Sequence, residues 1–427
     1  MELTIDKMMY GGDGLARFSA REGKPGKAVF VPYTLPGERV RAEITQERPG
    51  FARAQLEEVL EPSALRTEPP CPYFGRCGGC QYQHTGYDNQ LRIKSDTLSE
   101  SLRRTGKIEL ACEIQTHSSP PLGYRNRTRF HVCAHPEFAI GYFHSNSHRL
   151  LPVNECPISS PRVNAILAEL WRAGSEKKIP PEVREIEAFA DAADEKVLIE
   201  IYADERANQK QFEFFAGEFA ERTPAVAGVA IFRGASSQRK PLFIHGASSL
   251  DYEVGNEKYR VSAGAFFQTN RFLVPKMVEL VTRDRSGKVA FDLYAGVGLF
   301  MLPLARHFEQ VFAVESSEAS ASDLRANAPK NVTVNRQSVE DFLRRAGRNL
   351  SADFVVVDPP RAGLGEAVTA QLASSTAQEI VYVSCDPATL ARDLKQFVAA
   401  EWKIAEMHLL DVFPQTFHIE SIAVLRR

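Results

Sequence analysis

A chain of 427 residues with 44% apolar and 25% charged side chains has room for several domains and at least one large core, in the balance usual for soluble globular proteins. No apolar run approaches the ~20 residues that span a bilayer, and "MELTIDKMMYGGDG" lacks the apolar core of a secretory signal, so a cytoplasmic protein with no membrane partner is expected. A net charge of −2 supplies no global basic field, so any RNA contact has to rest on local patches.

Residues 1 to about 60 alternate in short runs ("LTIDKMM", "KAVFVPY", "RVRAEIT", "FARAQLEEVLE") punctuated by "GGDG" and "LPGE", which predicts a small all-β barrel. "EPSALRTEPP" reads as a linker into "CPYFGRCGGCQYQH". There Cys71, Cys77 and Cys80 are spaced C-x5-C-x2-C, with Gly78 and Gly79 free to bend the chain, and Cys156 follows in "NECPIS". Four thiolates suit a 4Fe-4S cluster or structural zinc. Zinc sites more often use two C-x2-C pairs and here there is one, so spacing favours iron–sulfur and leaves zinc as the alternative. Cys112 and Cys133 show no partner spacing.

Residues 85–107 carry helical periodicity with Arg92, Lys94, Arg103, Arg104 and Lys107, and a segment of about 85–110 is expected to pack on the C-terminal domain. In "YRNRTRF", Arg125, Arg127 and Arg129 recur with period two, on one face of a strand. Helix and strand each have two readings: a phosphate-contacting patch, or a face satisfied by ion pairs. Mixed strands and a helix ("EFAIGYFH", "SPRVNAILAELWRA", "KVLIEIYA", "GVAIFRG") make 61–255 an α+β middle domain.

From residue 256 the pattern becomes strand–helix alternation, the signature of a doubly wound, Rossmann-like α/β sheet. "VAFDLYAG", "VFAVE", "VTVN", "DFVVVDPP", "IVYVSCDP" and "SIAVLRR" are its strands, with "LFMLPLARHF" and "ATLARDLKQFVAA" as helices. "FDLYAGVGLF" places Asp292, Gly296 and Gly298 where the first strand turns into a helix, and Glu315 ends the next strand, suited to the two hydroxyls of a ribose. The third glycine of a dinucleotide fingerprint is absent, Met301 standing there, which favours S-adenosylmethionine over a pyrophosphate ligand. Asp358 follows another apolar strand in an Asp-Pro-Pro turn that can seat a flat heterocycle.

Cys385 ends a strand at the same sheet edge and begins a helix, whose dipole is expected to stabilise a thiolate. Glu420, after His418, opens an apolar strand, a setting that raises a carboxyl's pKa and suits a general base. Methyl donor, thiol and base together fit one chemistry. A thiolate adding to carbon 6 of uracil makes carbon 5 nucleophilic, and a base then removes the carbon 5 proton.

"FFQTN", "DLYAGVGLFMLPLA", "DPPRAGL", "SCDPATLARDL" and "FPQTFHIES" resemble, in that order, the RNA uracil-5 methyltransferases. "YGGDGLAR…VFVPYTLPGERV" resembles their RNA-binding TRAM domain, and the cysteine segment their iron–sulfur segment, so the likeness covers nearly the whole chain and is weakest over 160–250. The resemblance implies Cys385 as nucleophile and Glu420 as base. It places Gln268, Tyr294, Gly296, Glu315 and Asp358 at S-adenosylmethionine, Phe266 and Asp358 at the target uracil, and a 4Fe-4S cluster on Cys71, Cys77, Cys80 and Cys156. Leu299 stands where some members carry Asn, and Ala295 where many carry Cys. The accessory segments resemble those of members acting on 23S rRNA, with the transfer-RNA members as the alternative. A monomer on structured RNA, without an obligate protein partner, is expected. Two other readings stay open: a nitrogen methyltransferase with Cys385 as a core thiol, and an iron–sulfur RNA-binding protein with an inactive catalytic domain.

Overall fold

The computed structural model describes residues 1–18, 26–234, 241–346 and 350–427. Five N-terminal strands close into a barrel in the order Glu2–Met8, Asp13–Phe18, Lys27–Pro32, Phe51–Glu61, Arg39–Arg48, the last pairing back to the first. Alternation drives the closure: Leu3, Ile5, Val29, Val31, Val40 and Ala42 point inward, and their neighbours face water. Outside, Arg39 pairs with Glu2 and Glu61, Arg41 with Glu58, and Arg53 with Asp13. Such exposed pairs, screened by water, add little to stability.

The middle of the chain builds a seven-stranded sheet, ordered Phe243–Gly246, Val226–Arg233, Val197–Ala203, Val183–Ala190, Arg127–Cys133, Ala139–Phe143, Leu150–Pro152. Helices Pro161–Ser175 and Gln209–Arg222 pack on it. The first starts where its residues dictate, with Ser160 Oγ accepting the Val163 N–H and Pro161 at the first helical position. Arg127 and Arg129 lie on a central strand, and the two strands to one side of it, Val183–Ala190 and then Val197–Ala203, present carboxylates. Arg127 pairs with Glu187 and Glu200, and Arg129 with Glu185 and Glu187. The phosphate-stripe reading therefore fails for these two arginines, and the ion-paired reading holds.

The C-terminal sheet has eight strands, ordered Val332–Arg336, Phe308–Glu315, Gly287–Leu293, Phe354–Val357, Glu379–Ser384, Glu420–Arg426, Lys403–Leu410, Ile114–His117. The first five are mutually parallel, and Glu420–Arg426 runs against both of its neighbours. Both faces are buried. Val355 and Val357 join one core cluster and Val356 the other, which is why "FVVV" is apolar without alternation. Two strands were not anticipated: Lys403–Leu410, and Ile114–His117, which arrives from the N-terminal half and pairs parallel to it. The expected helix over "LFMLPLARHF" shrinks to Met301–Leu304, because Phe308 already opens a strand.

Helix Tyr87–Ser101 ends in one wide turn, Leu102–Gly106, and lays Leu98 and Leu102 against Tyr382 and Leu390 of the C-terminal domain. Arg92, Arg103 and Arg104 face solvent, but Lys94 does not. It is buried, and its Nζ donates to Asp411 Oδ1 at 2.5 Å and to the Phe413 carbonyl at 2.9 Å. Lys94 is therefore removed from the proposed basic patch.

Candidate active site

The chain steps outward from Gly287–Leu293 through Phe308–Glu315 to Val332–Arg336, then returns to the other side of the first strand at Phe354–Val357. Such a reversal opens a crevice beyond the strand ends. The turn that floors it needs left-handed backbone, with φ of 66° at Tyr294, 57° at Gly296 and 97° at Gly298. At Gly298 a Cβ would stand 2.5 Å from Met301 Cε and 2.9 Å from Leu324 Cδ1.

Glu315 braces this turn. One carboxylate oxygen accepts the Gly296 N–H at 2.9 Å and the other the Ser317 N–H at 2.6 Å, leaving lone pairs for two further donors such as ribose hydroxyls. Asp292 lies fully buried, and neither oxygen has a hydrogen-bond partner of ordinary geometry. Burial first, and the nearby Asp358 second, push its carboxyl up to about 8. Asp358 itself is pushed up to about 7 by burial. Tyr294, half-buried, sits beside Glu340 and is shifted upward by burial and that carboxylate.

Strands Glu379–Ser384 and Glu420–Arg426 pair antiparallel with Ser384 opposite Ser421, so Cys385 and Glu420, the residues adjoining that last pair, stand at the same end of the sheet, where Glu420 acts electrostatically on the Cys385 thiol. Residues 35 apart in sequence thereby share one end of the sheet. Burial pushes the Cys385 thiol up to about 12, reinforced by Glu420 and Asp358 and opposed by Arg361. The expected thiolate at a helix N-terminus is thus corrected to a neutral thiol. Burial is the main reason, and the helix end gives little relief, because Asp386 caps it, its Oδ1 accepting the Ala388 and Thr389 N–H groups at 3.0 and 2.9 Å. Glu420 is held well above the ordinary carboxylate range by burial and then by Asp358. His418, between Phe413 and Phe417, is driven down to about 4 by burial and so stays neutral.

Phe266 is 61% exposed, whereas its neighbour Phe267 is buried against Tyr252 and Phe189, and Gln268 is buried. Asn270 anchors this loop to the segment before Glu420, donating to the Val412 carbonyl at 3.0 Å. Two contributors were not singled out from the sequence. Arg361, within "DPPRAGL", acts electrostatically on Cys385, Glu420 and His418. Tyr10, from the barrel, stands near Asp386, whose carboxylate adds to burial in raising its phenol, and meets Phe417 edge-on at 5.5 Å. Arg361's signal was its place after the two prolines; Tyr10 had none.

The four cysteines stand apart from this crevice and together line a cavity of about 220 Å³ with Arg125, Gln83 and Tyr142. Among the described residues no three His, Cys, Asp or Glu groups are drawn close enough to hold one metal ion.

A family model described as tRNA (Uracil-5-)-methyltransferase matches residues 86–427, and the TRAM domain model matches residues 1–56. The chain belongs to the RNA uracil-5-methyltransferase family. Its members are S-adenosylmethionine-dependent enzymes, and this chain is one by class. An uncharacterized RNA methyltransferase of Aquifex aeolicus is 33% identical, with 100% of this chain and 98% of that protein covered. The 23S rRNA (uracil(1939)-C(5))-methyltransferase RlmD of Alkalilimnicola ehrlichii is 32% identical over 100% and 96% of the two chains. The crystal structure of Pyrococcus abyssi tRNA (uracil-54, C5)-methyltransferase with S-adenosyl-L-homocysteine superposes with a TM-score of 0.76 at 25% identity, covering all of both chains. Among the described residues no helix is long and apolar enough to cross a membrane.

Proposed function

We propose that this family member methylates carbon 5 of a specific uridine in 23S rRNA through a covalent Cys385 adduct, with Glu420 as the base. The meeting of Cys385 and Glu420 at the end of their paired strands carries the reading, because methylation of a nitrogen needs neither a thiol nor a carbon-proton acceptor. The Cys385 thiol gives its proton to water, its sulfur bonds to carbon 6 of the uracil, and the electron pair of the carbon 5–carbon 6 double bond moves toward carbon 5. Carbon 5 takes the methyl group as the sulfur–methyl bond of the donor breaks. Glu420 then removes the carbon 5 proton, the ring double bond re-forms, and the carbon 6–sulfur bond breaks to release Cys385.

Exposed Phe266 offers a face to an extruded base, Asp358 contacts both that base and the methyl donor, and Gln268 belongs to the methyl-donor site. Glu315, Gly296 and Tyr294 hold the methyl donor across the glycine turn. Likeness to RlmD over the full chain supports 23S rRNA. A second reading, a transfer-RNA uridine, is favoured by the superposition on the Pyrococcus enzyme. The cavity ringed by all four cysteines supports a 4Fe-4S cluster, whose irons take one thiolate each; elemental analysis decides it.

The test uses 23S rRNA and transfer-RNA transcripts, with uridine or 5-fluorouridine. Fluorine cannot leave as a cation, so the native chain should be trapped on fluorinated 23S rRNA as a methylated adduct at Cys385. Cys385→Ala should give neither adduct nor product. Glu420→Gln should lose about 10²–10⁴-fold in turnover and accumulate adduct on ordinary RNA. Methylation by Cys385→Ala would overturn the mechanism, and trapping on transfer RNA alone would overturn the target.

A further inference from the structure

The loop that delivers Glu420 is held largely from outside its own domain. Between Leu410 and Glu420 the chain passes through Gln415, whose φ of 69° is left-handed and costly for a residue with a Cβ. Its support comes from the segment directly after Cys80. The N–H groups of Gln81 and Tyr82 both donate to the Gln415 carbonyl, at 3.0 and 2.9 Å. The Gln90 side-chain oxygen accepts the Gln415 N–H at 3.0 Å. The Gln90 amide nitrogen donates to Gln415 Oε1 at 3.0 Å, and to the Tyr82 and Thr85 carbonyls at 3.1 and 3.0 Å. Gln90 is 1% exposed and Gln415 6%, so water cannot replace these bonds when they are lost.

The strain is passed on toward Glu420. Thr416 Oγ1 accepts the His418 N–H at 3.2 Å and donates to the Phe413 carbonyl at 2.9 Å, which closes the stretch into a tight turn. Cys385, by contrast, is placed by its own strand and by the Asp386 cap, with no bond to this loop among those described.

We propose that Gln90 is a positioning residue for proton abstraction: by clamping Gln415 in its left-handed conformation, it sets where the Glu420 carboxyl meets carbon 5 of the methylated adduct. The inference rests on the reading of Glu420 as base. It divides the reaction in two, because thiol addition and methyl transfer need only the Cys385 side of the site.

In the full chain, Gln90→Ala should lower kcat on ordinary RNA about 10–100-fold, as small misplacements of a reacting group do. KM for RNA should change less than about twofold, since no substrate contact is assigned to Gln90. Trapping on 5-fluorouridine RNA should keep its native rate, and adduct on ordinary RNA should accumulate. Gln415→Gly should be at least about fivefold more active than Gln415→Ala, because glycine adopts φ of 69° freely and all three bonds to the residue's backbone survive. Trapping that slows in proportion to turnover, or glycine no better than alanine, would overturn the proposal. Glu420→Gln separates the two levels. If it accumulates adduct while Gln90→Ala does not, only the role of Gln90 is wrong; if it accumulates none, the assignment of the base falls first.

Discussion

Arg361 decides how far burial can disarm the catalytic pair. Burial raises both Cys385 and Glu420, and the Arg361 guanidinium is the cation that opposes it at each. A cation favours the charged form of each group, so its loss must raise both further and leave less thiolate and less carboxylate at any given pH. Arg361→Met should therefore shift the rising limb of the pH–rate profile to the alkaline side by about one unit, and cut the rate at neutral pH roughly tenfold. Arg361→Lys should recover most of that loss, because the charge and not the fork geometry is what acts. A profile that keeps its shape in Arg361→Met would show that the guanidinium does not tune the pair. In the sequence the thiol and the carboxylate stand 35 residues apart, and nothing local to either says that they meet. Only the antiparallel register of Ser384 with Ser421 brings them together.

Helix Tyr87–Ser101 shows the same limit at the scale of elements. Its periodicity made it legible, but the fate of Lys94 was not, since Asp411 lies 317 residues on. The strands "DFVVVDPP" and "IVYVSCDP" could be read because a sheet buried on both faces writes itself as an unbroken apolar run. Ile114–His117, "IQTH", could not, because its polar residues make sense only against Lys403–Leu410, where His117 Nε2 meets His408 Nδ1 at 3.1 Å. The buried Lys94–Asp411 pair ties the helix to the loop before Glu420. Lys94→Met would strand Asp411 as an unpaired buried carboxylate, at a cost of about 3–5 kcal/mol. Adding Asp411→Leu should restore most of that stability, since an apolar pair of similar volume often replaces a buried ion pair without loss. Urea denaturation of the two single variants and the double variant checks this. If Lys94→Met alone changes stability by less than 1 kcal/mol, the pair is not the tie.

Across the whole molecule the cysteine cavity stands at a junction. Cys71, Cys77 and Cys80 belong to the passage from the barrel to helix Tyr87–Ser101, whereas Cys156 precedes helix Pro161–Ser175 of the middle sheet. A centre bonded to all four would close a loop of 76 residues between Cys80 and Cys156 (156 − 80), and cross-links over such spans stabilise by about 4 kcal/mol in the chain-entropy model. It would also fix Gln81 and Tyr82, which hold the Gln415 carbonyl. Burial and neighbouring sulfurs push the Cys77 thiol up to about 11 and shift Cys71 and Cys80 upward as well, and a metal centre bound there would ionise these three thiols. Chain purified without oxygen should therefore contain iron and acid-labile sulfide in equal amounts, about four of each for the proposed cluster. Cys156→Ser should lose both and melt several degrees lower, with proteolysis opening first in the segment that carries Cys71 to Cys80. Stoichiometric zinc in place of iron, or a Cys156→Ser variant that melts with the native chain, would mean that the cavity is not the tie that joins barrel, middle sheet and catalytic loop.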